Sequence, residues 1–192
     1  QDDNKIWICG NFFNYDNSGR YYLVRLNSDG TVDSPCPLTN VVVDRIALQA
    51  DGKLVGVGRF NELNGKPLKK YGLIRFNVNG TLDSLFPKEN LITSLGNFED
   101  IKILKDGRII FCGEFKLYEK PLGYPISAAC YTATGKLDST FLLGGGTGGN
   151  IHRISQLEDG NIIMTGNFTS YNRIGRNDLV KVNLKGEVDS VF

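Results

Sequence analysis

Asp51-Gly52-Lys53-Leu54-Val55-Gly56-Val57-Gly58-Arg59-Phe60 opens on a turn pair, continues as a β-prone apolar run and closes on Gly-x-Phe. The same frame recurs at Asp3-Asn4-Lys5 to Phe12, at Asp106-Gly107-Arg108 to Phe115 and at Asp159-Gly160-Asn161 to Phe168. About 20 residues beyond each Gly-x-Phe lies a third signal: Gly-Thr-Val-Asp-Ser at 30–34, Gly-Thr-Leu-Asp-Ser at 80–84, Gly-Lys-Leu-Asp-Ser at 135–139 and Gly-Glu-Val-Asp-Ser at 186–190. Three signals in one order, four times over, make a repeat whose period is 48, 55 and 53 residues. Asp-Gly between alternating runs such as Arg45-Ile46-Ala47-Leu48-Gln49 and Lys53-Leu54-Val55 is a hairpin signal. Further runs, Leu23–Asn27, Leu73–Asn77, Ala128–Thr132 and Leu179–Asn183, each lead into a turn ending in glycine. A short closing strand, Thr81-Leu82-Asp83-Ser84-Leu85-Phe86 in copy two, completes the expected unit, and no segment has a helical period.

A period near 50 residues with four short strands per copy suits the blade of a propeller rather than a short-period solenoid. The expected fold is all-β: a β-propeller-type array of four-stranded antiparallel blades, with repeats at about 1–41, 42–96, 97–149 and 150–192 in one repeat region. First strands are expected at 42–50, 97–105 and 150–158, and copy one starts directly at its Asp3. The chain is therefore read as out of phase with its blades: a piece of a longer array, with closure of the four blades on their own as the alternative. These motifs resemble the delta-60 repeat family, whose pattern runs Asp-Gly-Lys-Ile, Gly-x-Phe, Arg-Leu-Asn and Asp-Gly-x-x-Asp. The resemblance covers nearly the whole chain, and it implies propeller blades and a setting in secreted, cell-surface or phage-tail proteins.

Composition narrows the partners. With 22 basic against 21 acidic residues and a net charge of +1, the chain has no electrostatic footprint for nucleic acid or an anionic bilayer. No apolar run approaches the roughly 18 residues of a spanning helix, so membrane insertion is not expected. The start Gln1-Asp2-Asp3-Asn4 is unlike a signal peptide and reads as a mature or excised segment. The 23 glycines, about 12% of the chain against an average near 7%, fall largely on the repeat's turn positions.

A residue type present in every copy is read as structural, because a single active site needs its acid or base once. Asp33, Asp83, Asp138 and Asp189 are thus expected to bind turn amides or the basic residue of the preceding strand, Arg25, Arg75 or Lys181. Cys130 stands there in copy three, so Asp138 is expected to lack that partner. Phe12, Phe60, Phe115 and Phe168 are expected in the core. Gly144-Gly145-Gly146-Thr147-Gly148-Gly149 has the letters of a dinucleotide fingerprint but no helix after it, and is read as an inter-blade connector. The four cysteines, 9, 36, 112 and 130, have no metal-ligand spacing. His152 is the only histidine and aligns with Asp44 and Glu99, giving a polar channel rim. No cofactor, metal or catalytic residue is expected.

The copies differ most between their second and third strands, where tyrosines and cations on loops suit recognition. Tyr15, Arg20, Lys66, Lys69, Tyr118, Tyr124, Tyr171 and Arg173 are the candidate partner-binding residues there. The sequence thus suggests a non-enzymatic structural or adhesive interaction module of a surface-exposed or secreted bacterial protein or phage tail component. Its partner would be a protein or a glycan, beside neighbouring repeats or subunits, in an extracellular, cell-surface or virion setting. The alternatives are a glycan-processing enzyme using Asp44, Glu99 and Asp100 as channel-mouth carboxylates, or an intracellular interaction scaffold.

Overall fold

A computed structural model describes residues 1–33, 41–63, 66–86, 97–115, 126–141 and 146–192, with the backbone alone at 41, 61–63, 66–70 and 126. The described residues form four antiparallel sheets, one per copy. Copy one pairs β1 (Ile6–Cys9) with β2 (Leu23–Leu26). Copy two orders β3 (Val41–Leu48), β4 (Leu54–Leu63) and β5 (Lys66–Phe76). Copy three repeats this with β6 (Phe98–Ile103), β7 (Ile109–Phe115) and β8 (Ile126–Tyr131). Copy four has β9 (Thr147–Gln156), β10 (Ile162–Tyr171), a short β11 (Ile174–Gly175) and β12 (Leu179–Val182). Backbone contacts divide the chain into two units, Gln1–Asn90 and Leu91–Phe192.

The hairpins β3–β4, β6–β7 and β9–β10 are each closed by the same five-residue turn. Its side chain at the third position accepts the amide two residues on, as Asp51 does from Lys53, Asp106 from Arg108 and Asp159 from Asn161. The fourth residue is left-handed: Gly52 at φ +78°, Gly107 at +85° and Gly160 at +88°. Asn4 takes this place in copy one at φ +60°, since asparagine tolerates that region best after glycine.

The glycine of Gly-x-Phe has a different reason to be glycine. In copies two, three and four the first strand carries one extra residue opposite it, a β-bulge at Asp44, Glu99 and His152. The bulge brings a carbonyl oxygen onto the glycine. A Cβ at Gly58 would lie 2.1 Å from the oxygen of Val42, one at Gly113 2.0 Å from that of Asn97, and one at Gly166 2.0 Å from that of Asn150.

Three expectations are corrected. The closing fourth strand shrinks to single bridges, Leu26 with Val32, Phe76 with Leu82, Tyr131 with Leu137 and Val182 with Val188, because the Asp that follows each bridge turns the chain. Thr147-Gly148-Gly149 is not connector but the start of β9, where Gly149 faces Phe168 across the sheet and a Cβ would meet the Asn167 oxygen at 1.9 Å. The variable stretch of copy two is mostly strand: pairing continues from Phe60 to Leu63 against Lys66 to Lys70, which places Lys66 and Lys69 on β5 rather than in a loop.

The core sits between the sheets of each unit. Leu23, Val43, Leu54, Phe60, Ile74 and Phe76 form one cluster, with Trp7, Cys9, Ile46 and Leu82 against it. In copy three Phe98, Phe111, Phe115 and Tyr131 make an aromatic cluster with ring centroids 5.1–5.7 Å apart. Phe60, Phe115 and Phe168 are buried as expected, whereas Phe12 is half-buried.

Candidate functional site

The repeated aspartates hold equivalent hydrogen bonds and ion pairs in all four copies. Each backbone amide returns to the third strand: Asp33 to Arg25, Asp83 to Arg75, Asp138 to Cys130 and Asp189 to Lys181, all at 2.9 Å. Their carboxylates bind cations from two repeat positions. In copy one Asp33 takes Arg25 at 2.5 Å and Lys5 at 3.4 Å, and in copy two Asp83 takes Arg75 at 2.9 Å and Lys53 at 3.0 Å. In copy four Lys181 bridges Asp189 at 3.1 Å and Asp159 at 3.7 Å.

In copy three Asp138 lacks the third-strand cation, as expected, and takes a partner that the sequence reading missed. The strand position holds Cys130, but Asp138 has a cation from the other position: Arg108 Nη1 lies 2.8 Å from its Oδ2 and also donates to the Leu184 carbonyl. A guanidinium there also reaches Asp106 at 2.8 Å. Burial works to raise the carboxyl of Asp138, but the Thr140 hydroxyl, Arg108 and the Thr140 amide outweigh it and hold the group below its ordinary value. In Asp83 burial is likewise outweighed by Lys53, the Leu85 amide and Arg75. Ion pairs of this kind, repeated in every copy, tie the turn to the sheet.

The rim residues occupy equivalent bulges. Asp44, Glu99 and His152 are all half-buried, and Asp44 lies 3.9 Å from Arg59. Within the second unit β6 and β9 bring Glu99 and His152 to one side, where Arg153 Nη1 donates to both their backbone carbonyls, at 3.2 and 2.8 Å. Asp100 is committed to the fold: Oδ1 accepts the Ile101 amide at 2.9 Å and Oδ2 the Ile154 amide at 3.0 Å, which pins β9 to β6. Among the described residues no three His, Cys, Asp or Glu side chains gather as a metal site.

The thiols are quiet. Burial pushes Cys112 and Cys130 up to about 12, with Asp100 adding to the rise in Cys112 and Arg108 opposing it in Cys130. Burial also raises Cys9. All three are free cysteines, and Cys36 lies outside the described residues.

Of the candidate binding residues, Tyr118 and Tyr124 lie outside the described residues. Tyr171 is corrected: it is 4% exposed at the end of β10, and burial raises its phenol strongly, so it packs on its own sheet. Tyr15 is half-buried in a short 3-10 turn (Tyr15–Asn17) and donates to the Gly30 carbonyl at 3.2 Å. Arg20, paired through its backbone oxygen with the Tyr15 amide at 3.0 Å, is half-buried, and its Nε and Nη1 have no hydrogen-bond partner among the described residues.

Arg173 is exposed at the tip of the β10–β11 hairpin. The two tip residues, Asn172 at φ +51° and Arg173 at +65°, both take the left-handed region. That is the primed hairpin turn, which normally calls for Gly at its second position. Sequence reasoning missed three exposed neighbours on the same connections: Phe13, 70% exposed, Tyr21, 41%, and Ile174, 44%. The available signal for Phe13 was that the other copies have Asn61, Lys116 and Thr169 directly after their Gly-x-Phe.

No helix among the described residues is long and apolar enough to cross a membrane. No curated protein matches the chain. A family described as "Domain of unknown function (DUF5122) beta-propeller" matches residues 1–34, 49–86 and 157–192. Those segments are the turn-strand-turn frames of copies one, two and four, and they cover more than half of the chain; the protein belongs to this β-propeller repeat family.

Proposed function

We propose that the chain is a non-enzymatic structural or adhesive interaction module that binds a protein or glycan partner through the connections between its second and third strands. The observation that carries this reading is a set of exposed apolar and cationic side chains on those connections. Phe13 and Tyr21 in copy one and Arg173 and Ile174 in copy four stand on the connection that differs most between copies, while the residues shared between copies serve turns, bulges and ion pairs. Arg173 adds weight, because a non-glycine residue held left-handed at an exposed tip stores strain of about 1–3 kcal/mol, a feature that concentrates at binding sites. Rigid sheets carrying variable tips are the usual scaffold for recognition. Asp100 supports the non-enzymatic side of the reading, since both its oxygens already accept amides. The setting we assign is a surface-exposed or secreted bacterial protein or a phage tail component, following the resemblance to delta-60 repeats.

The test is binding of the chain to an array of immobilised bacterial-surface polysaccharides and proteins, run beside Phe13→Ser and Arg173→Ser. The expected result is retention on one class of ligand, lost in one or both variants with unchanged circular dichroism. Release of sugar fragments from any arrayed glycan, or equal retention of both variants, overturns the reading.

A further inference from the structure

The connection between β1 and β2, residues 10–22, carries five aromatic residues: Phe12, Phe13, Tyr15, Tyr21 and Tyr22. Its backbone is closed on itself. The Gly10 amide donates to the Tyr22 carbonyl at 3.0 Å, Tyr15 to Arg20 at 3.0 Å and Ser18 to Tyr15 at 2.9 Å, and the Asn14 side chain accepts the Gly19 amide at 2.7 Å. Asn14, Asp16 and Asn17 take the left-handed region, which Asn and Asp tolerate. Tyr22 takes it too, at φ +62°. In copy four that place, marked by a carbonyl that accepts the Gly-x-Phe glycine amide, belongs to Asp178 at φ +60°. A bulky residue is disfavoured there, so copy one accepts a strained backbone to keep an aromatic ring at this point.

The ring has a visible task. Tyr22 meets Phe13 edge to face with centroids 5.7 Å apart, which holds a Phe13 side chain that is itself 70% exposed. An exposed ring fixed by its neighbour binds a ligand without the usual loss of side-chain freedom. The same connection contains a cation that the fold does not answer. Arg25, Arg75 and Arg108 are each held by a carboxylate, whereas Arg20 Nε and Nη1 are buried with no partner among the described residues. Cationic N–H groups withdrawn from water without an acceptor are costly, and pairing the guanidinium with a carboxylate recovers that cost.

We infer that this connection is a subsite for one carboxylated sugar, a uronate residue of an acidic polysaccharide. The inference rests on the binding role proposed above for these connections and names the ligand of one of them. Phe13 stacks on the C–H face of the pyranose, whose partial positive charge suits the negative face of the ring. Arg20 pairs with the sugar carboxylate. The exposed side chains of Asn11, Asp16 and Asn17 meet the hydroxyls, which both donate and accept. A peptide fits less well, because peptides dock by backbone pairing at a strand edge or by laying a helix in an apolar groove, and here the backbone groups already pair within the loop.

The experiment is titration calorimetry of the chain with oligomers of galacturonate, of mannuronate and of hyaluronan, each beside the same oligomer with its carboxyls reduced to alcohols, and with poly-glutamate. The expected result is binding of at least one uronate oligomer, weakened by salt, with its reduced form at least about tenfold weaker, the scale of one charge-assisted hydrogen bond. Arg20→Gln is expected to lose the same factor and Phe13→Ala to abolish binding, both with unchanged circular dichroism. Lys185→Gln, which removes an exposed cation of copy four, is expected to bind as the wild type does. No binding of any uronate oligomer at millimolar concentration, equal binding of the reduced oligomers or of poly-glutamate, or undiminished binding to folded Arg20→Gln each overturns the inference. The reduced oligomers keep the test decisive if Arg20→Gln folds poorly. A protein or neutral glycan retained by the wild type and lost in Phe13→Ser would leave the adhesive reading standing while this inference falls.

Discussion

In copy two Asp83 lies between two cations, Lys53 and Arg75, whereas in copy three Asp138 has Arg108 alone, because Cys130 stands where Arg75 does. The cores of the two sheets differ at the equivalent depth. Phe111 anchors an aromatic cluster in copy three, and Gly56 occupies that register position in copy two, beside Val43 and Ile74. The repeat therefore tolerates exchange at interior and ion-pair positions, provided that volume and charge are recovered nearby. What it keeps in both copies is the turn, the bulge and the glycine under the bulge.

The largest effect is expected from emptying the aromatic cluster. Phe111→Ala removes a fully buried ring in contact with Phe98, Phe115 and Tyr131, and such truncations cost about 3–5 kcal/mol. Hydrogen exchange resolved by peptide is the measurement, with β6, β7 and β8 losing protection first. The converse change, Gly56→Ala in copy two, sets a Cβ 2.9 Å from Val43 Cγ1 and 3.3 Å from Ile74 Cγ2. Side-chain termini give way more easily than backbone, so a cost of about 1–3 kcal/mol is expected, in the range for overpacking. If Gly56→Ala stabilised the chain to denaturant, copy two would hold a cavity and the account of exchanged volume would fail.

How much of this was legible in the sequence depends on the range of the contact responsible. The turns were readable because Asp and Gly act locally: a carboxylate caps an amide two residues on, and a left-handed φ demands glycine or, at Asn4, asparagine. Gly58 and Gly113 were readable as punctuation but not as necessity, since the carbonyl that forbids a side chain comes from a residue 16 positions earlier, across a bulge. The extended β4–β5 pairing through Lys66 was hidden by a lysine-rich stretch interrupted by Gly65 and Pro67, whose strand state is imposed by its partner. The partner of Asp138 was missed because pairing was read from the third strand alone. The Asp-Gly-Lys position, Lys5, Lys53 and Arg108, points at the same carboxylates, and the change from lysine to arginine where the strand cation is lost was the available clue. Of the candidate binding residues, Arg173 stands exposed at a tip and Tyr171 is buried, a difference set by packing rather than residue type.

Single against double cation supply gives a third, intermediate effect. Arg108→Asn leaves Asp138 with only its Thr140 contacts, and loss of a charge-assisted pair at a carboxylate about 10% exposed is expected to cost about 2 kcal/mol. Lys53→Asn leaves Asp83 with Arg75 and is expected to cost about 0.5 kcal/mol, the scale of a partly exposed pair. Chemical denaturation of the two variants tests the ordering. Equal losses would mean that Arg108 acts through packing, not charge.

The smallest effect is the one that pH exposes. Asp83 and Asp138 ionise below their ordinary value in the folded chain, despite burial, because cations and amides hold the charged form. A carboxyl whose folded pKa is depressed contributes stability that is fully present above its unfolded pKa, about 3.9, and is lost as pH falls through the folded value. Stability should therefore be level from neutrality to about pH 5 and decline below about pH 4. Asp138→Asn removes one contributing proton site, so the acid decline of copy three should become shallower while that of copy two is unchanged. The measurement is exchange protection of β4 and β7 across the acid range. A decline that is identical in wild type and variant would place the acid sensitivity in carboxylates other than the repeated one, and the two cations of Asp83 would then serve the geometry of the turn rather than its charge.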